Sequence, residues 1–272
     1  MFHKKSLGQH FLASAAYVRA VAQAGDIRAG ETVLEIGPGR GVLTAELLSR
    51  GARVIAIEKD SRLIPELSVR FAREIAEKNL RLIEGDALAL EPEKLGLKDG
   101  GYKIIANIPY YITGALFEKF LGGRPQPSAI VFLVQKEVAE RIAVRKKKPL
   151  GSARGKESIL SLSVKAFGTP RYIKTVPRGA FAPVPNVDSA ILAIENISRK
   201  NFKNRAHEKQ FFALLHAGFA HKRKLLVRNA ESVLGKNAGA VLAQSGIPEK
   251  ARAEDIPLEK WLELSLIAGN KT

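Results

Sequence analysis

The sequence predicts an α/β protein: a mostly parallel sheet flanked by helices over residues 1–198, then a small all-helical domain over residues 199–272. Three observations carry that prediction. Short aliphatic runs alternate with helix-like segments from about residue 14 onward. A glycine-rich turn joins the first such run to the helix after it. Beyond Asn196 the pattern becomes polar, basic and helical, with no clear strand.

In chain order, residues 17–24 read as a helix, and Thr32-Val-Leu-Glu-Ile36 is the first short buried strand. Residues 41–50 are helix-like, 53–57 a strand, and 61–78 a helix with Pro65 near its start. Residues 80–83, 104–106 and 129–134 continue the strand series. Residues 161–167 and 189–194 are strand-like and would close the sheet. Residues 197–204 form a polar, basic linker. After it, residues 208–226 read as one long amphipathic helix, with shorter ones at 238–244 and 258–267.

The chain has 272 residues, of which 46% are hydrophobic, enough for a well-buried core. Lys and Arg number 44 against 27 acidic residues, giving a formal net charge of +17 and a pI near 10.1. Such a field concentrates polyanions, nucleic acid foremost. Residues 199–272 alone hold fourteen basic and seven acidic residues. No segment has the unbroken apolar length of a bilayer span, so no membrane partner is expected. Cysteine is absent, which excludes disulfides and thiolate chemistry, and the five histidines show no metal-ligand spacing. The first residues lack an apolar stretch of the secretory type, so the expected location is the cytoplasm.

The most informative stretch is Asn107-Ile108-Pro109-Tyr110, directly after the apolar run Lys103–Ala106. An amide side chain and a backbone carbonyl there can accept from the exocyclic amine of a nucleobase, while the ring stacks on its face. The plainer alternative is a strand-ending turn, where Asn and Pro are common. Glu35-Ile-Gly37-Pro-Gly39-Arg-Gly41 follows the first strand, with glycine at the first, third and fifth positions and Val42 at the sixth. That departs from the dinucleotide fingerprint. Glu-x-Gly-x-Gly after a first strand is instead the S-adenosylmethionine pattern of Rossmann-like methyltransferases. Glu58 ends the second strand, where a carboxylate accepts from ribose hydroxyls. Asp86 ends the third, placed either to accept from an adenine amine or to cap the next helix.

Phe181-Ala-Pro-Val-Pro-Asn-Val-Asp-Ser189 is a second proline-stiffened loop, in which Phe181 is either a stacking surface or a core ring. Two basic clusters stand out, Arg145 to Lys148 and His221 to Lys224. Lys146, Lys147, Lys148, Lys222, Arg223 and Lys224 are the candidate phosphate contacts.

Together these residues resemble the ribosomal RNA adenine dimethyltransferases of the KsgA type. The similarity runs nearly end to end, from Lys4-Lys-Ser-Leu-Gly-Gln-His-Phe-Leu12 through the glycine turn, Glu58, Asp86, Asn107–Tyr110 and Phe181–Ser189 to the basic stretch Phe219–Asn229. The resemblance implies a Rossmann-like, S-adenosylmethionine-dependent methyltransferase domain with a small C-terminal all-helical domain. It implies two methyl groups on N6 of each of two adjacent adenines near the 3′ end of small-subunit rRNA, within an assembling 30S particle. Carried over by position, the cofactor contacts are His10, Leu12, Gly37, Glu58, Asp86 and Asn107, with Gly39 in the same turn. Asn107, Ile108, Pro109, Tyr110 and Phe181 would hold the base.

The chain departs from the family where His10 replaces the usual Asn and where Tyr111 stands at a position many bacterial members fill with Asn. Residues 149–163 also differ from the family's usual loop and are assigned no role. Nothing demands more than a monomer. The alternatives are a large-subunit rRNA adenine methyltransferase of the antibiotic-resistance (Erm) type, a non-catalytic assembly or transcription factor on the same fold, and a small-molecule methyltransferase. The +17 charge disfavours the last of these.

Overall fold

The computed structural model describes residues 10–143 and 156–269. Its described residues form two compact units. The first comprises those up to Ala139 together with Thr169–Ile197, and the second comprises Glu140–Gly168 together with those from Ser198 onward. The later boundary falls one residue from the 198/199 division read from composition. The described parts of the segment 140–168, residues 140–143 and 156–168, pack with the helical unit although they precede it in sequence.

In the first unit, β1 (Phe11–Leu12) and α1 (Ala15–Ala24) lead into β2 (Thr32–Ile36), α2 (Val42–Ser49) and β3 (Arg53–Glu58). Next come α3 (Ile64–Arg70), α4 (Ala72–Ala76), β4 (Leu80–Glu84), β5 (Tyr102–Asn107), α5 (Thr113–Gly122), β6 (Ala129–Gln135) and the first turn of α6 (Lys136–Ile142), whose residues from Glu140 on fall in the second unit. Each strand is a run of aliphatic residues because a parallel strand covered by helices is buried on both faces. In β6 the five interior residues are all buried. The sheet order is β4-β3-β2-β5-β6, with every pair parallel. Two later strands complete it: β9 (Ser189–Glu195) runs antiparallel to β6, and β7 (Thr169–Val176) antiparallel to β9 at the edge. A small separate ribbon pairs β1 with β8 (Phe181–Ala182). The core joins α1, α2 and α3 to one sheet face through Val21, Leu47, Leu67, Ile105 and Ile191.

Residues 161–167, expected as a strand, are instead most of α7 (Ile159–Phe167). Ser158 and Ser161 cap that helix reciprocally. Ser158 Oγ accepts from the Ser161 N–H at 3.1 Å, and Ser161 Oγ accepts from the Ser158 N–H at 2.8 Å. A short apolar run does not by itself distinguish a strand from a buried helix. The true sheet-closing partner of β9 is β7, whose Pro170, Arg171 and Lys174 mask it in sequence but suit an edge strand. The helix read over 61–78 also breaks, because Phe71 leaves helical geometry at φ −112° and ψ 26°.

The second unit adds α8 (Arg205–Phe219), α9 (Leu226–Leu234), α10 (Ala238–Gln244) and α11 (Leu258–Gly269) to α7. The helix expected over 208–226 therefore ends early, at Phe219, and α9 begins only at Leu226. The amide of Asn229 donates to the carbonyls of Gly218 at 2.6 Å and His221 at 3.1 Å, closing the turn between them. The core here is aromatic: Phe167, Phe202, Phe211 and Phe212 stack in a cluster, and Trp261 is fully buried against Phe219. Gly218 permits that approach, since a Cβ there would lie 2.4 Å from the Trp261 ring.

Candidate active site

The carboxyl ends of β2, β3, β4 and β5 open onto one cleft, at the point where the strand order reverses around β2. That is where open α/β sheets bind ligands. Each wall of the cleft begins where an apolar strand stops, so the aliphatic pattern of the sequence delivers the polar residues to the same rim.

On the β2 side, Gly37 and Gly39 have φ of 67° and 59°, a left-handed backbone that side chains rarely adopt. A Cβ on Gly39 would lie 2.7 Å from the Phe11 ring, whereas a Cβ on Gly37 would project into open space. Glu58, at the end of β3, is 5% exposed. Its Oε2 accepts from the Gly39 N–H at 3.0 Å and its Oε1 from the Asp60 N–H at 2.8 Å. Burial raises its pKa, opposed by those two backbone donors. Behind the turn, Glu35 is 1% exposed and its Oε2 has no hydrogen-bond partner among the described residues. Burial, with the Glu58 charge adding to it, pushes that carboxyl up to about 8, so it is mostly neutral at pH 7.

Asp86 lines the cleft and caps a turn, not the helix expected after it. Its Oδ1 accepts from the Leu88 N–H at 2.9 Å, and its Oδ2 accepts from Lys59 Nζ at 2.7 Å. The Lys59 bond, then the Leu88 bond, hold its carboxyl below the usual range. Lys59 was not singled out in sequence. The signal was there in Glu58-Lys59, a cation following the strand-ending acid.

On the β5 side, the Asn107 amide nitrogen donates to the carbonyl of His10 at 2.9 Å. Only the nitrogen end can serve a carbonyl, so this bond fixes the amide's orientation. Asn107 Oδ1 is left without a protein partner among the described residues. Pro109 holds φ −61° and ψ 134°, and its carbonyl accepts from the Ile112 N–H at 3.3 Å. The Tyr110 hydroxyl is 2.7 Å from Ser189 Oγ, and burial raises its pKa. The His10 ring stacks on Tyr110 with centroids 6.1 Å apart, and its Nδ1 donates to the Pro183 carbonyl at 2.9 Å.

His10, Gly37, Gly39, Glu58, Asp86, Asn107, Ile108, Pro109 and Tyr110 therefore all line one cleft. Leu12 and Phe181 do not. They pair across the β1–β8 ribbon, are each 3% exposed, and pack into the core. The alternation of a two-residue strand turns Leu12 inward and gives the cleft Phe11 instead. Phe181 takes the plainer of its two readings, a core ring ahead of the proline loop.

Lys222, Arg223 and Lys224 are exposed on the turn between α8 and α9 in the second unit. Lys146, Lys147 and Lys148 lie outside the described residues.

A family model described as ribosomal RNA adenine dimethylase matches residues 2–269. The chain is 40% identical to the ribosomal RNA small subunit methyltransferase A of Dehalococcoides mccartyi (strain CBDB1), over 98% of this chain and 89% of that one. It is 39% identical to the protein of the same name from Deinococcus radiodurans, over 93% and 82%. Among solved structures, a dimethyladenosine transferase from Plasmodium falciparum superposes with a TM-score of 0.73 at 27% identity, covering 94% of this chain and 96% of that one. The 23S rRNA methyltransferase ErmE gives the same TM-score at 25% identity, covering 94% of this chain and 98% of that one. The backbone alone does not separate those two neighbours; the higher identities lie with the small-subunit enzymes. The chain belongs to the ribosomal RNA adenine dimethylase family.

Proposed function

We propose that the protein dimethylates N6 of two adjacent adenines near the 3′ end of small-subunit rRNA, using S-adenosylmethionine, and acts as a monomer on an assembling 30S particle in the cytoplasm. The observation that carries this reading is Asn107. Its amide nitrogen is fixed on the His10 carbonyl, which leaves the oxygen to accept from an amine in a cleft rimmed by Tyr110.

The cleft fits the cofactor. A Cβ on Gly37 or Gly85 would meet nothing within 4 Å, so both glycines leave room where a ligand can lie against bare backbone. Glu58 would accept from the ribose hydroxyls through the lone pairs its two backbone donors do not use. Asp86 would accept from the adenine amine, beside its bond to Lys59. When bound, the sulfonium cofactor supplies an electrophilic methyl group.

The protein's own part is to present the target amine. The N6 lone pair is delocalised into the ring, so the free amine is a poor nucleophile. Accepting from its N–H groups favours a more pyramidal nitrogen where positive charge develops. Asn107 Oδ1 is one acceptor. The second is the Ile108 or the Pro109 carbonyl, of which the Pro109 oxygen already accepts one bond from Ile112. Tyr110, held by His10 and Ser189, stacks on the base and keeps it at attack distance. Methyl transfer to the amine would leave the nitrogen cationic, and it would then lose its proton to water. A second round needs room for the monomethylated base.

The test is incubation with labelled S-adenosylmethionine and under-methylated small subunits, followed by mass mapping of the rRNA. Dimethyladenosine at two adjacent positions near the 3′ end is the expected result. Label confined to large-subunit rRNA offered in parallel would overturn it in favour of the resistance-type activity. Cofactor binding without any transfer would leave an assembly factor on the same fold.

A further inference from the structure

Four large apolar side chains are exposed among the described residues: Val69 at 80%, Tyr111 at 63%, Val184 at 57% and Val187 at 41%. Three of the four sit on the two segments that brace Tyr110. Tyr111 follows it directly and lines the cleft. Val187 lies two residues before Ser189, whose hydroxyl meets the Tyr110 hydroxyl at 2.7 Å. Val184 follows Pro183, whose carbonyl holds the His10 ring against Tyr110. The proline loop is pinned further along, since Asp188 Oδ1 accepts from the Arg178 N–H at 2.9 Å and its carbonyl accepts from the Lys136 N–H at 3.0 Å. The valines are thus displayed on fixed backbone, in contact with water. An exposed ring lining a cleft, with exposed valines on the loop that braces the neighbouring wall, marks a binding surface.

We propose that Tyr111, Val184 and Val187 form an apolar rim for the bases on either side of the target adenine, Tyr111 by stacking on one and the valines by packing against the other. The proposal rests on the reading above. Covalent continuity of the strand carries the argument: a base held at Asn107 and Tyr110 brings its two neighbours to the rim of the same pocket. Once the target leaves the stack, each neighbour has a bare π-face, and any base can offer one to an aromatic ring. The net charge of +17 favours a polyanion at this surface over an apolar protein segment. The rim lets the enzyme hold the strand open without reading sequence at those positions.

The test compares wild type, Tyr111→Ala, Tyr111→Phe and the Val184→Ser/Val187→Ser double variant. KM and kcat for under-methylated small subunits and for naked rRNA are measured at saturating S-adenosylmethionine, with cofactor Kd by calorimetry. Expected are a rise of five-fold or more in KM for both RNA substrates in Y111A and in the double variant, near-wild-type behaviour of Y111F, and cofactor Kd within two-fold throughout. KM within two-fold of wild type in both variants overturns the rim. A rise in cofactor Kd that matches the rise in KM also overturns it, assigning Tyr111 to the cofactor. An effect on subunits but not on naked rRNA overturns it in favour of a ribosomal-protein contact. A wild-type protein that transfers no methyl group to either substrate overturns the underlying reading instead.

Discussion

Asn107 has two chemically distinct ends, and the fold uses only one of them. The His10 carbonyl takes the nitrogen, so the oxygen faces any ligand as a pure acceptor. Asn107→Ala should lower methyl transfer at least ten-fold while cofactor affinity falls less. Unchanged turnover would remove Asn107 from the chemistry. Glu35 makes a different kind of prediction. Its carboxyl stays protonated to about pH 8 in the folded state, against an ordinary value of 4.5. The folded protein therefore binds the extra proton between those values, and stability falls as pH rises through them. Glu35→Gln should melt close to wild type at pH 5 and several degrees higher at pH 8.5. Parallel melting profiles would show that Glu35 ionises freely. Asn107, Glu58 and Asp86 were legible in the sequence because each terminates an aliphatic run. Leu12 and Phe181 were not, because their direction depends on a ribbon pairing residues some 170 positions apart.

At the level of elements, the glycine turn and the α7 cap carry separable tasks. Gly39→Ala would place a methyl group against Phe11 and require a left-handed alanine, costing about 1–2 kcal/mol of backbone strain alone. Cofactor affinity in that variant should drop at least ten-fold by calorimetry, and retained affinity would mean the turn yields without cost. Ser158→Ala removes one half of a reciprocal cap and should destabilise the protein by about 0.5–2 kcal/mol in urea titration, with cofactor binding intact. The strand pattern from β2 to β6 could be read directly, since buried parallel strands leave no choice of composition. The α7 helix and the β7 strand could not. A short apolar helix reads as a strand, and a charged, proline-bearing edge strand leaves no apolar run to find.

For the whole molecule, charge is the property that composition alone conveys. Lys222, Arg223 and Lys224 are exposed on a turn whose backbone Asn229 holds closed. Replacing all three by alanine should weaken rRNA binding and reduce the slope of log affinity against log salt by about 3, leaving cofactor affinity unchanged. An unaltered slope would exclude this turn from the phosphate contacts. The two-part organisation was visible as a change of texture near residue 198, but the return path through 140–168 was not. That segment carries the basic cluster Arg145 to Lys148, but a charge run does not tell which unit it belongs to.

The braces on Tyr110 also order events in time. Residues up to about 110 supply the acids and glycines that would hold the cofactor, whereas the locks on the base side come from Pro183 and Ser189. Because a chain emerges from its amino terminus, the acids and glycines of the cleft are synthesised long before the residues that brace Tyr110. His10 and Tyr110 gain their partners Pro183 and Ser189 only when the last strand of the sheet begins to emerge.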